Sequence, residues 1–254
     1  MLVSRRFLVL AISLGWQDVK NTYLRSTLGP WWITLGLAVQ VAAIGLIFGV
    51  LFDADLASFF PFLSISLVLW NSLVSTITDS TNAYVQSQQI IKQIWVPSFF
   101  SIVRVLAKNV ITLLHNATIV VVILLIFRIA PGVELLLAIP GALVVFAVLY
   151  GVSAVAGIIS ARYRDVPPMI SSALTVGFYL TPVIWMPDSL PEEFRDPILA
   201  FNPLYSLMEL VRAPLLGSAP TLSNWLVSLG SLSVVALGAL WVTRKYSWKV
   251  VYWL

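Results

Sequence analysis

The segment WWITLGLAVQVAAIGLIFGVLF, Trp31–Phe52, contains no charged residue. A helix needs about 20 apolar residues to cross a hydrocarbon core of roughly 30 Å, so this segment is long enough to span a membrane. Further apolar runs of similar length follow it at Phe59–Thr81, Val110–Phe127, Leu135–Ser160, Met169–Met186 and Thr221–Thr243. The pattern predicts an all-α polytopic membrane protein with six transmembrane helices.

The positive charges between these runs predict the orientation of the chain. Twelve of the fifteen Lys and Arg residues fall in alternate gaps, whereas only Arg128, Arg195 and Arg212 fall in the other gaps. The other gaps also hold eight of the eleven acidic residues. Because cytoplasmic loops carry an excess of Lys and Arg, both termini are predicted to be cytoplasmic.

Composition agrees with a membrane protein and excludes several other classes. The chain is 59% hydrophobic and 10% charged, with a mean hydropathy of +0.95. These values lie outside the range of an ordinary soluble domain. The net charge of +4 follows from the positive-inside pattern and does not indicate nucleic-acid binding. The chain has no cysteine, which excludes disulfides and thiol chemistry.

Residues 1–30 are predicted to form an interfacial helix and an elbow. Apolar residues recur there at spacings of three and four, at Leu8, Ile12, Trp16, Val19 and Tyr23. Such a stripe, with polar residues on the other face, is typical of a helix that lies in the cytoplasmic membrane interface. The alternative is a helix packed against the bundle. Residues 31–186 then contain the first five predicted spans.

The longest cytoplasmic gap, Asn82–Asn109, is rich in glutamine and then basic. Pro97 divides it, which predicts two short helices on either side of that proline. An exposed polar helix here offers a docking surface for a soluble partner, with Tyr84, Gln88, Gln89 and Lys92 as its candidate residues. The alternative is a solvated connector.

The external region 187–220 contains six prolines and also apolar clusters. Short apolar segments broken by proline are typical of re-entrant half-helices buried in protein. We expect Ile198–Leu216 to pack against the first and fifth spans and to close the outer end of a pathway. Glu209 and Arg212 can form an ion pair there as an outer gate. Span six, 221–243, and a cytoplasmic tail, 244–254, complete the predicted single domain.

The sequence argues against enzymatic or secondary-transport chemistry. No glycine is followed by lysine, so the chain has no P-loop nucleotide site. His115 is the single histidine, and a hydrogen bond between helices is its favoured role, ahead of a proton relay. Since deep ionisable residues are scarce, either a partner supplies the energy or the protein is passive.

Aromatic residues are concentrated toward the first, second and fifth spans. Aromatic faces stack on sugar rings, so they would suit a pathway for a glycan. The candidate pathway residues are Phe52, Phe59, Trp70, Tyr179 and Trp185. The alternative for these side chains is packing in the core or against lipid.

Three stretches together resemble the membrane subunits of ABC-2-type exporters, specifically the Wzm-like permeases of O-antigen and teichoic acid export. They are YLRSTLGPWW (residues 23–32), ARYRDV (residues 161–166) and FNPLY (residues 201–205), which continues into ELVRAP (residues 209–214). Each stretch is short, but their order and their positions relative to the spans make the combination specific.

The resemblance implies a half-transporter in the bacterial cytoplasmic (inner) membrane. Two copies of this chain would work with two copies of an ABC ATPase, which carries the ATP and Mg, and would export a polyprenyl-diphosphate-linked glycan. Energy coupling would then involve the docking residues named above together with Arg164 and Asp165. Arg25, Arg162 and Arg164 would attract the lipid diphosphate. A drug or small-lipid exporter permease of the same fold is the alternative.

Overall fold

A computed structural model of the protein describes residues 2–24, 26–29, 31–51, 55–191, 193, 195 and 199–254. The described chain is helical. Its α-helices are α1 (Leu2–Thr22), α2 (Trp31–Leu51), α3 (Leu56–Thr81), α4 (Ala83–Gln86), α5 (Gln88–Gln93), α6 (Phe99–Ile126), α7 (Ala138–Arg162), α8 (Val166–Leu180), α9 (Pro203–Leu215), α10 (Leu222–Tyr246) and α11 (Val250–Trp253). Short 3-10 turns lie at Val133–Leu137, Pro187–Ser189 and Ser247–Lys249.

Five described segments are long and apolar enough to cross a membrane, which confirms an all-α polytopic membrane protein. They are Trp31–Leu51, Leu56–Thr81, Phe99–Ile126, Val133–Arg162 and Leu222–Trp253. The fifth predicted span is helical only in α8, which has 15 residues and a length of about 22 Å. The helix ends there because Pro182 forces the preceding Thr181 into an extended conformation, with φ −104° and ψ 135°.

Polar side chains fix where several of these helices begin. Asp55 accepts a hydrogen bond from the backbone N–H of Ala57 at the start of α3. Asn202 and Thr221 accept equivalent bonds at the starts of α9 and α10. Each cap satisfies backbone N–H groups that have no partner within the helix.

The gap Asn82–Asn109 differs from its prediction. Both short helices, α4 and α5, lie before Pro97, and they are separated at Ser87. The residues after Pro97 begin α6 and continue without a break into the membrane segment. The prediction of a separate second helix was wrong because Pro97 precedes the first turn of α6, where a missing N–H costs nothing.

Helix α3 lies at the centre of the bundle, where α2, α6, α7, α8 and α9 pack around it. It contributes many of the buried apolar side chains, among them Phe59, Leu63, Leu67, Trp70 and Ile77. Serines on α3 donate hydrogen bonds to their own helix, as Ser66 does to the carbonyl of Phe62. The core therefore forms around one helix that is buried on most of its sides.

Helix α1 packs against α6. The side facing α6 contains Ala11, Gly15 and Val19, and a Cβ on Gly15 would lie 2.6 Å from the carbonyl oxygen of Arg104. Leu8, Ile12 and Trp16 remain exposed. The predicted apolar stripe is therefore divided: Val19 is buried and Tyr23 is half-buried, whereas Leu8, Ile12 and Trp16 face outward.

The external region contains a packed helix. Seven side chains of α9 are buried, and the helix is about 20 Å long, too short to span. It packs mainly against α3, α7 and α10, so the prediction that it rests on the first span was wrong. The contact with α7 is so close that a Cβ on Gly141 would lie 2.3 Å from the carbonyl oxygen of Leu210. Because Gly141 has no side chain, α9 can pack this closely against α7.

Candidate functional site

The end of the bundle at which α3 and α7 end and α6 begins is called here the basic end. Its short helix α5 presents Gln89 and Lys92 to solvent. The side-chain amide of Gln88 instead donates a 2.5 Å hydrogen bond to the backbone carbonyl of Leu254. Of the four predicted docking residues in this segment, Gln89 and Lys92 thus lie on an exposed surface, while Gln88 is half-buried beside the last residues of the chain.

Tyr84 lies beneath this surface. Its side chain is buried, and its hydroxyl donates a 3.0 Å hydrogen bond to the carbonyl of Ser98. Burial, with a smaller contribution from the nearby Tyr150, raises the pKa of Tyr84 far above its ordinary value. Its contacts tie α4 to the start of α6, so it supports the surface from below.

The turn after α7 forms another part of the basic end. Arg162, Arg164 and Asp165 are all exposed. The guanidinium of Arg162 lies 5.1 Å from the ring centroid of Tyr163 and 5.4 Å from that of Trp253. Residues 247–254 therefore link α5 to the end of α7 and bring the two predicted groups of docking residues onto one side. Arg25 lies outside the described residues.

Two ion pairs that the sequence did not predict stabilise this end. Arg104 donates to both carboxylate oxygens of Asp18, at 2.6 and 2.7 Å, and so fastens α1 to α6. Lys108 and the amide of Asn109 donate to Asp79 at 2.9 and 3.0 Å, and so fasten α6 to α3. Because each pair is partly buried, it holds its helices more firmly than a surface pair would.

At the opposite end, Arg212 on α9 is only 1% exposed and has several partners. Two of its nitrogens donate to one carboxylate oxygen of Glu209, as the sequence predicted. A third nitrogen donates to the hydroxyl of Ser66 and to the carbonyl of Pro182, both at 2.7 Å. The guanidinium also lies 4.2 Å from the ring centroid of Phe62. One side chain therefore joins α9 to α3 and to the turn that follows α8.

The predicted pathway aromatics occupy different environments. Phe59 and Trp70 are buried inside this chain, whereas Tyr179 is 65% exposed. Phe178 connects the last two, with ring centroids 5.6 Å from Trp70 and 5.3 Å from Tyr179. The indole of Trp185 donates to the carbonyl of Tyr179. The group at the end of α8 is therefore continuous from core to surface; Phe52 lies outside the described residues.

Within the described residues, His115 makes a hydrogen bond inside its own helix and not the predicted one between helices. Its Nδ1 lies 2.8 Å from the carbonyl of Ile111 on its own helix, and its ring meets Trp31 edge-on at 5.8 Å. The interhelical hydrogen bond comes from its neighbour Asn116, which accepts from the hydroxyl of Thr34 at 3.3 Å. The histidine ring pairs with the carbonyl of Ile111, four residues earlier on its own helix, which lies nearer to it than an acceptor on another helix.

The arrangement offers binding surfaces. In the part of the chain that the structure describes, no three His, Cys, Asp or Glu side chains stand together as metal ligands. The structure has an exposed polar surface at the basic end, helices joined by ion pairs behind it, and a short buried helix at the opposite end. The partners that the sequence missed, such as Asp18 for Arg104, are far apart in the chain, and no local pattern could have found them.

Sequence comparisons identify the family and several relatives of this chain. The family model for the ABC-2 type transporter matches residues 10–216. An O-antigen export system permease protein RfbA of Klebsiella pneumoniae is 25% identical over 194 residues, which cover 76% of this chain and 74% of the relative. An O-antigen export system permease protein RfbA of Myxococcus xanthus is 23% identical over 231 residues, covering 91% of this chain and 89% of the relative.

Proposed function

We propose that this chain, which belongs to the ABC-2 type transporter family, is the membrane subunit of an ATP-driven exporter that moves a lipid-linked polysaccharide. The observation that carries the proposal is its similarity to O-antigen export permeases, which for one relative extends over 91% of the chain. The packed helix α9 and the exposed docking surface are the structural features that suit this role.

The exporter would contain two copies of this chain and two copies of a separate ABC ATPase, on which ATP and Mg are bound. The chain alone offers no P-loop, so the energy has to arrive through a partner. We expect the purified chain to hydrolyse no ATP and the co-expressed proteins to copurify in a two-plus-two complex. ATP hydrolysis by the chain alone, or copurification in another ratio, would contradict the assembly.

The topology proposed is six crossings of the bacterial inner membrane with cytoplasmic termini. Helix α8 and the residues to Met186 make the fifth crossing, and α9 is a re-entrant helix at the outer end. The distribution of Lys and Arg supports this orientation. Because the chain has no cysteine, a Gln89→Cys variant should label only from the cytoplasm and Glu193→Cys only from outside. Labelling of both from one side would overturn the topology.

Energy coupling is assigned to the surface of the basic end. Gln89, Lys92, Arg164 and Asp165 are exposed there, while Tyr84 and Gln88 hold the surface in place from beneath. A partner ATPase that moves during hydrolysis would push on α5. The ion pairs that join α1 and α3 to α6 would transmit that movement to the membrane helices.

The exposed cations Arg162 and Arg164, with Arg25, would attract the diphosphate of the lipid carrier by charge and hydrogen bonding. Their place on the docking side puts them where a substrate made in the cytoplasm arrives. We expect an Arg162→Gln, Arg164→Gln double variant to bind polyprenyl diphosphate more weakly in detergent. Equal binding by wild type and the double variant would remove this role.

The outer gate is assigned to α9, held by the Glu209–Arg212 pair. Tyr179 and Trp185 lie near the same turn and supply ring faces for sugars passing the gate, whereas Trp70 and Phe59 are buried and serve the core.

The second candidate function is export of a drug or small lipid. A groove of about 400 Å³ between α2 and α6, lined almost wholly by apolar side chains such as Leu35, Phe60 and Ile123, favours an apolar ligand. Extrusion of a fluorescent lipid by the complex, in the absence of any glycan export, would select this alternative.

A further inference from the structure

A second cleft, lined by both polar and apolar side chains, lies between α2, α3 and α6, on the membrane-crossing part of the chain. Its volume is about 290 Å³. Besides Asn109, six polar side chains line it, all of them amides or hydroxyls, namely Gln40, Asn71, Ser72, Ser75, Thr112 and Asn116. Such residues are costly at membrane depth unless they meet water, each other or a polar ligand.

The depth of the cleft follows from helix geometry. Gln40 lies about 14 Å from the start of α2, and Asn71 about 15 Å before the end of α3. Both residues are therefore near the middle of a core roughly 30 Å thick. Asn109, which is bonded to Asp79, also lines the cleft and connects it to the basic end. The polar groups that line the cleft therefore continue through Asn109 to Asp79, next to the basic end.

Some of the polar groups in the cleft already have partners. The amide nitrogen of Asn71 donates to the carbonyl of Leu67 at 2.9 Å, and the amide oxygen of Asn116 accepts from Thr34. The amide of Gln40, however, makes no hydrogen bond within the described residues, and it is exposed. Asn71 also keeps its oxygen available as an acceptor. These groups can both donate and accept, and none of those six side chains carries a charge.

The walls of the cleft leave room for a ring. A Cβ on Gly36 would have nothing within 4 Å, so the α2 side of the cleft is open at this residue. The indole of Trp32, which is 57% exposed, lies at the same wall one turn before Gly36. An exposed aromatic face beside paired donors and acceptors is suited to a ligand with hydroxyl groups and an apolar ring face.

We infer that this cleft binds a sugar unit of the exported polysaccharide, with Gln40 and Asn71 bonding its hydroxyls and Trp32 stacking on its ring. The inference rests on the proposed function and names a substrate site for it. An uncharged set of amides and hydroxyls fits neutral sugar hydroxyls better than a phosphate, which would call for a cation. The cleft is separate from the aromatic group near α8.

The first test uses photo-cross-linking. A photoreactive maleimide is attached to Gln40→Cys or, as the matched control, to Val39→Cys, whose native side chain is 68% exposed on the same helix. Each variant is combined with the partner ATPase in vesicles containing lipid-linked polysaccharide extracted from the source cells. We expect a cross-link from position 40 to the glycan during ATP turnover, and only lipid adducts at position 39.

The second test fills the cleft. Gly36→Leu places a side chain in its open space, and Gly230→Leu is the control because a Cβ on that helical glycine would also have nothing within 4 Å. Gln40→Leu and Asn71→Leu remove the hydrogen-bonding groups. We expect export by either of these two variants to fall roughly fivefold, the factor for one hydrogen bond of ordinary strength. Gly36→Leu should lower export further, and Gly230→Leu should leave it unchanged.

The outcomes distinguish failure of the sugar site from failure of the proposed export function. If wild-type vesicles export the polysaccharide but position 40 cross-links only to lipid, or if Gly36→Leu exports normally, the cleft is not a sugar site. Equal glycan cross-linking at positions 39 and 40 also overturns it. If the wild-type complex exports no polysaccharide at all, the proposed function itself fails.

Discussion

Replacing Glu209 by Ala is expected to loosen the external helix α9 and open the outer gate. Arg212 is almost completely buried, and it would lose the carboxylate that accepts hydrogen bonds from two of its nitrogens. It would keep its bonds to Ser66 and to the carbonyl of Pro182, but neither partner carries a charge. The variant therefore leaves a cation inside the protein without a counter-charge.

The magnitude follows from the burial of the pair. Breaking a buried ion pair by removing one partner costs about 3–5 kcal/mol. The Glu209 side chain is 13% exposed, so we take the lower value, about 3 kcal/mol. A change of this size raises the population with α9 detached by roughly a hundredfold, because each 1.4 kcal/mol is a factor of ten. A Glu209→Leu, Arg212→Met double variant should regain most of the loss, since it removes both charges.

Ion leak from resting liposomes measures this population directly. The control is Asp188→Ala, since Asp188 is 85% exposed and its pair with Arg195 at the same end contributes at most about 1 kcal/mol. We expect Glu209→Ala to leak strongly, and wild type, Asp188→Ala and the double variant to remain tight. A tight Glu209→Ala protein whose α9 resists protease as well as wild type does would show that the pair does not hold α9 in place.

Three further predictions concern helix contacts and coupling. Gly141→Val should lower the unfolding midpoint, at a cost of about 1–3 kcal/mol, because its side chain would collide with the backbone of α9, whereas Gly230→Val should not. Asp18→Asn should weaken the bidentate bond to Arg104 by about 1 kcal/mol, and a protease should then cut within α1 faster; an unchanged cutting rate contradicts this. Lys92→Glu should keep the ATPase bound and active but lower the glycan exported per ATP, and an unchanged ratio would move the coupling site elsewhere.

Most of the fold could be predicted from the sequence because membrane helices leave a strong local signal. The apolar run Phe59–Thr81 became α3, extended by three residues to the cap that Asp55 provides. The fifth run forms a shorter helix because Pro182 ends it, although the residues on both sides of that proline are hydrophobic. The start of α6 was missed because Arg104 and Lys108 make its first turns too polar for a hydropathy criterion.

The candidate site was only partly predictable. The Glu209–Arg212 pair was found because residues three apart share a helix face. The bonds from Arg212 to Ser66 and Pro182 join segments that are distant in sequence, and no local pattern marks them. The same holds for Asp18 with Arg104 and for the contact of Gln88 with Leu254. Such pairs depend on how the helices pack, which a single sequence does not encode in any short pattern.

The most direct test of the central claim is transport by the assembled exporter. Inverted membrane vesicles containing this chain and its partner ATPase are given the lipid-linked polysaccharide and ATP, and glycan inside the lumen is measured. We expect uptake that requires both proteins and hydrolysable ATP, and no uptake with either protein alone. Uptake by this chain without the ATPase, or none by the complete complex while a drug or lipid is carried instead, would contradict this expectation.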